Sequence, residues 1–270
     1  MTSAFADLLA AAPGSWSLAV LDADGRALLT HDDEAVRPVA SSAKVLLLVA
    51  AAAAIERGDL DPDEPLRRSS VAAVADSGLW QHLRVDALPA DDVARLVGSV
   101  SDNLATNVLL ARLGGAGAVA DEARRRGIAG IALHDFVRDE RTASDPATLG
   151  TATAGALARL FATLAPAGGG DDEAGGPVAS RVRGWLRDGA DLSMVAGALG
   201  LDPLAHTAPD RGVALWHKTG TDTGVRADSG VIAVDGVVRA YSCLVEFDEA
   251  DRDAVLAVMR AVGTGIRASF

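Results

Sequence analysis

From Val45 to Ile55 the chain runs through eleven residues without a charged or polar side chain. A helix with one apolar stripe lies against a core, but a helix apolar on every side has to be enclosed by one. The helix beginning near Ser41 is therefore expected at the centre of the fold, and 270 residues are enough to wrap it in one or two domains. Its first turn is chemically different from the rest. Ser41 opens it and Lys44 follows on the same face, so a hydroxyl and an amine enter the core side by side.

Strand patterns lie towards the two ends of the chain. Ser17–Leu21 and Ala27–Thr30 flank a turn at Asp22–Gly25, while Val213–Trp216, Gly230–Val234 and Val237–Glu246 read as three further strands before an amphipathic helix from Asp251 to about Ile266. Helical stretches fill the middle: Asp91–Val97, Leu104–Leu113, Val178–Arg187 and one near Met194–Leu199. Asp145-Pro146 fits an N-cap followed by proline at the first helical position and predicts a helix to about Thr163. Ala165–Pro177 is of low complexity and is expected to be a surface loop. The pattern predicts an α/β (α+β) fold in which both chain ends form one antiparallel sheet flanked by helices. The expected division is a discontinuous sheet lobe, 1–39 with 206–270, and an all-helical lobe, 40–205, with the site between them.

Positive charge is almost entirely arginine, 23 residues against two lysines, Lys44 and Lys218. Arginine does not give up its proton in a protein, whereas a desolvated lysine can, so only these two positions offer a basic amine. Each sits in a motif. Ser41-Ser42-Ala43-Lys44 is followed by Ser101-Asp102-Asn103, the only asparagines of the chain being Asn103 and Asn107, and then by Lys218-Thr219-Gly220. Sixty residues separate Ser41 from Ser101 and 117 separate Ser101 from Lys218. A serine hydroxyl becomes a useful nucleophile once a base takes its proton, and Lys44 is placed to be that base.

S-x-x-K, S-D-N and K-T-G in this order and spacing resemble the class A β-lactamases and the related penicillin-binding serine hydrolases. The resemblance implies a β-lactamase-like fold and a hydrolase acylated on Ser41, acting on β-lactams or related amides and esters in β-lactam catabolism or antibiotic response. It implies that Ser101 relays a proton to the leaving group, that Asn103 holds Lys44 and the substrate amide, and that the amides of Ser41 and Thr221, after Gly220, form an oxyanion hole. It also implies that Lys218, at the end of an edge strand, faces Ser101 and an anionic group, with the Thr219 and Thr221 hydroxyls as neutral donors. A D-alanyl peptidase or esterase of the same fold, and a slow-turnover β-lactam sensor, remain alternatives. The family's E-x-x-L-N string is missing between Asn107 and Pro146. Glu140 is the nearest candidate for the deacylating base, with Asp139 behind it.

A net charge of -12 and a pI near 4.8 argue against nucleic acid. They would also repel an anionic substrate, so a small molecule carrying a carboxylate needs a local positive patch, which Lys218 and Arg226 could form. No metal-binding string occurs, His134 and His217 read as structural, and no cofactor is expected. Cys243 is the single cysteine and reads as a core thiol. The sequence contains no membrane-spanning stretch and no signal peptide at Met1–Asp7, which points to a cytoplasmic chain, or a secreted one if a leader has been removed. Oligomeric state is not assigned.

Overall fold

The computed structural model describes residues 2–166, 176–203, 205, 209–210 and 212–270. The chain opens with α1 (Thr2–Ala11) and the hairpin β1 (Ser15–Leu21) and β2 (Ala27–His31), then β3 (Arg37–Pro38) and the central helix α2 (Lys44–Arg57). The middle carries β4 (Pro65–Arg67), β5 (Ala87–Pro89), α3 (Ala90–Val100), α4 (Asn103–Leu113) and α5 (Ala116–Arg125). It continues through β6 (Ile131–Leu133), β7 (Gly150–Ala152), α6 (Ala154–Leu164) and α7 (Gly176–Leu186). Three long strands, β8 (Val213–Asp222), β9 (Val225–Val234) and β10 (Val237–Glu246), precede the last helix, α8 (Arg252–Arg267).

Both chain ends meet in a five-stranded sheet of order β2-β1-β10-β9-β8, all neighbours antiparallel. The two ends are stitched together by β1 and β10, with Leu18 opposite Cys243. Alternation along the strands gives the sheet two apolar faces. One face, with Leu18, Val20, Ile232, Tyr241 and Cys243, packs with α1, with α8 through Val255, Met259, Val262 and Ile266, and with the 3₁₀ turn Val195–Leu199. The other, with Ala19, Trp216, Val231, Ala240 and Leu244, belongs to the larger core that encloses α2. Every residue of α2 from Lys44 to Ala54 is buried, as its uniform apolarity requires.

Two local expectations are corrected. Asp145-Pro146 does not open a helix: the Asp145 carboxylate accepts from the Thr142 amide and hydroxyl, both at 2.8 Å, and closes a turn. The following residues are drawn into β7, which pairs with β3 and β6, and the helix starts only at Ala154, where the Thr153 hydroxyl accepts from the Ala156 amide. The segment near Met194–Leu199 is a 3₁₀ turn and not an α-helix. Of the low-complexity stretch, 167–175 lies outside the described residues, and Gly176 and Pro177 already belong to α7. No helix among the described residues is long and apolar enough to cross a membrane.

Candidate active site

Ser41 lies in a 3₁₀ turn, Ala40–Ala43, that feeds directly into α2. Three hydrogen bonds hold this turn. The Val39 amide donates to the Gly150 carbonyl at 3.0 Å, the Ser42 amide to the Val39 carbonyl at 2.9 Å, and the Ser42 hydroxyl to the Lys218 carbonyl at 3.1 Å. Strand β8 can come this close only because residue 220 is glycine. A Cβ there would sit 2.1 Å from the Val39 oxygen and 3.1 Å from the Ser41 amide nitrogen. The backbone of β8 at Gly220 therefore lies directly against the Ser41 turn.

Lys44 is completely buried, and its amine donates to the Ser101 carbonyl at 2.7 Å, to Asn103 Oδ1 at 2.8 Å and to the Ser101 hydroxyl at 3.4 Å. Ser101 presents both oxygens from a left-handed conformation, φ 55°, at the end of α3. Burial, with Lys218 nearby, brings the Lys44 pKa well below the ordinary lysine value, and Asp102 and Asp76 only partly counter this. Lys218 is buried too, donates to the Thr219 carbonyl at 2.8 Å, and is lowered by burial to about 8, against the opposing pull of Asp191 and Asp228.

The rest of the S-D-N stretch is structural support. Asp102 caps α4 by accepting from the Ala105 amide, and its other oxygen takes the Leu79 and Trp80 amides at 2.7 and 2.8 Å. The Asn103 side chain also donates to the Ala75 carbonyl at 3.0 Å, so one amide joins Lys44 to the opposite rim. Ser41, Ser101, Asn103, Lys218, Thr219 and Thr221 line a single cleft of about 960 Å³.

The sequence matches the β-lactamase enzyme family over residues 1–269. The chain belongs to that family. No curated protein matches it in sequence. Among solved structures it is similar to an ancestral class A β-lactamase, at 24% identity and TM-score 0.81 over 100% of this chain and 99% of the other. It is also similar to a β-lactamase from Sphaerobacter thermophilus DSM 20745, at 22% identity and TM-score 0.79 over 98% and 95%. A third likeness is to a mutant of PBP-A, solved as its acyl-enzyme complex with penicillin G, at 23% identity and TM-score 0.77 over 98% and 96%.

Within this β-lactamase-family cleft, two residues chosen from sequence are placed elsewhere. Glu140 is exposed and does not line the cleft, although Arg138, Asp139 and Arg141 do. Asp139 is itself engaged, accepting from the Ala75 amide at 2.9 Å. Arg226 is turned away as well. In β9 it lies opposite Thr221, but its side chain does not line the cleft and is held at the far end of the strand pair. There it donates to the Asp222 and Val225 carbonyls at 2.7 and 2.8 Å and stacks 5.4 Å from the Phe247 ring centre. Lys218 sits in the body of β8, which continues to Asp222, and not at the end of that edge strand.

Two residues of the site were given no role from sequence. The side-chain amide of Asn107 donates to the Val137 carbonyl at 2.9 Å and accepts from the Val137 amide at 2.8 Å, clamping the loop after β6 into the cleft wall. Its sequence signal was that it is one of only two asparagines, four residues after Asn103. Asp191, on the segment after α7, lines the cleft near Thr219 and Lys218.

Proposed function

We propose that this protein is a serine hydrolase of the β-lactamase type that acylates on Ser41 with a β-lactam or a related strained amide or ester. The observation that carries the reading is the fully buried Lys44 amine, one helical turn from Ser41 and fixed by Ser101 and Asn103. With a depressed pKa it can accept the hydroxyl proton as Ser41 Oγ bonds to the substrate carbonyl carbon. The oxyanion forms against the amides beside Gly220. When the C–N bond of the ring breaks, the proton reaches the leaving nitrogen through the Ser101 hydroxyl, 3.4 Å from the Lys44 nitrogen.

Hydrolysis of the acyl-enzyme is proposed to be slow. The loop residue that Asn107 holds in the cleft wall is Val137, which cannot take a proton from water, and Glu140 faces solvent. This favours a long-lived adduct over rapid turnover. The test is an intact-mass time course with a penicillin and a chromogenic cephalosporin. One lasting adduct on the peptide containing Ser41 is expected; full labelling of Ser41→Ala sinks the assignment.

A further inference from the structure

The Lys218 end of the cleft is already supplied with negative charge. The strand partner of Thr219 is Asp228, fully buried, within 2.9 Å of His217 Nδ1 and accepting from the Tyr241 hydroxyl at 2.8 Å and the Ala196 amide at 3.2 Å. Asp191 lines the cleft from a segment pinned by the Ala190 amide, which donates to the Ser99 carbonyl at 2.9 Å. Its carboxylate accepts from the Ser193 hydroxyl at 2.6 Å and the Ser193 amide at 3.1 Å. Burial works against its ionisation, but Ser193, the Thr219 hydroxyl and nearby His217 outweigh that and hold its pKa below the usual aspartate value.

The cations that could offset this charge are committed elsewhere. Arg138 pairs with Asp135 at 2.5 Å and Asp145 at 3.3 Å, Arg141 with Asp135 at 3.5 Å, and Arg226 with Glu249 at 3.5 Å while donating to the Asp222 carbonyl. Lys218 in the cleft wall is acted on by both carboxylates.

We infer that Asp191 is a specificity residue: as a resident anion beside Thr219 and Lys218, it selects substrates whose group at that end is an uncharged ester or amide over those bearing a free carboxylate. The inference rests on reading this cleft as the acylation site. A carboxylate entering there meets like charge at close range and, farther out, a chain of net charge -12. An ester or amide loses nothing to either and can still accept from the Lys218 amine.

The test uses the Ser41→Ala chain, which can bind without being acylated, titrated by NMR with penicillin G and with penicillin G methyl ester. The same variant carrying Asp191→Asn is titrated in parallel. Ser41→Ala is expected to bind the ester at least about fivefold more tightly, and Asp191→Asn to move the ratio of dissociation constants towards the acid by about tenfold. Tighter binding of the acid by Ser41→Ala, a ratio moved less than about twofold by Asp191→Asn, or binding of neither compound overturns the inference. If Asp191→Asn does not fold, the ratio for Ser41→Ala alone decides. Intact mass of the unmutated chain reports on acylation separately. An ester preference without any adduct sinks only the Ser41 reading, and an adduct with an acid preference sinks only this one.

Discussion

The Lys44 amine nitrogen stands 2.8 Å from Asn103 Oδ1, joining the first residue of α2 to the first residue of α4. Removed from water, an amine in this position is worth more as a base than as a charge, because burial penalises the ammonium. Acylation should therefore rise with pH through a depressed lysine pKa. Asn103→Asp would place a carboxylate against the amine, favour the ammonium and move that rising limb to higher pH. Rates of adduct formation against pH for both proteins check this; an unmoved limb would mean that Lys44 is not the group that titrates.

Lys44→Arg keeps a cation but removes the proton acceptor. Acylation is expected to fall at least about 100-fold, within the range assigned to general base catalysis. A loss smaller than about tenfold would make Lys44 an electrostatic support only.

Gly220→Ala tests the close approach of β8 to the Ser41 turn. The new methyl group would meet the Val39 oxygen at 2.1 Å and the Ser42 nitrogen at 2.8 Å, both backbone atoms that cannot rotate aside. Displacing one of the two segments should cost about 1–3 kcal/mol of stability. Acylation should drop about 100-fold or more through the lost oxyanion donor. Denaturant unfolding and labelling rates measure the two effects, and unimpaired labelling would show that this backbone pairing is not used.

What could be read from sequence and what could not separate along a physical line. Ser41 and Lys44 are fixed by helical spacing, and their partners by motif order, so local chemistry was legible without coordinates. The place taken by Arg226 depends on where its strand begins and on contacts with Asp222, Val225 and Phe247. That start was invisible while the strand after the turn was read as beginning at Gly230, when in fact β9 begins at Val225 and includes Arg226. The Asn107–Val137 clamp spans thirty positions between a helix and a loop, and no periodicity signals such a pair. Asp145-Pro146 misled for a related reason, since tertiary pairing of β7 with β3 and β6 overrode a sound local capping pattern.

The proposed slow turnover rests on the residue presented by the clamped loop. Glu140→Gln should leave the lifetime of the adduct within about twofold, because that side chain points to solvent. Val137→Glu puts a carboxylate on the cleft wall, where it could activate water, and should shorten the lifetime by about tenfold or more. Asn107→Ala should cost about 2 kcal/mol by leaving the Val137 amide and carbonyl without their partner. Adduct decay by mass and stability by urea titration decide. A lifetime strongly altered by Glu140→Gln would mean that the loop rearranges to bring Glu140 in.

Stability should carry a lysine signature in alkaline solution. In the folded protein Lys218 titrates at about 8, while in the unfolded chain it returns to an ordinary value near 10.5, so between these pH values the unfolded state binds more protons. Stability therefore rises with pH across that window, and lowering the pH through it removes about 3 kcal/mol that a neutral Lys218 would contribute. Lys44, depressed by the same burial, acts in the same direction. Above about pH 9 the sign is opposed, because burial raises the Cys243 thiol and the Tyr241 phenol, so these groups keep protons in the folded state that the unfolded chain releases. The clean measurement is urea unfolding between about pH 8 and 9 of the wild type and of Lys218→Met. The wild type should gain stability as pH rises and Lys218→Met should gain less. Equal slopes would place the Lys218 pKa outside the window and show that its amine is better solvated than its position in β8 implies.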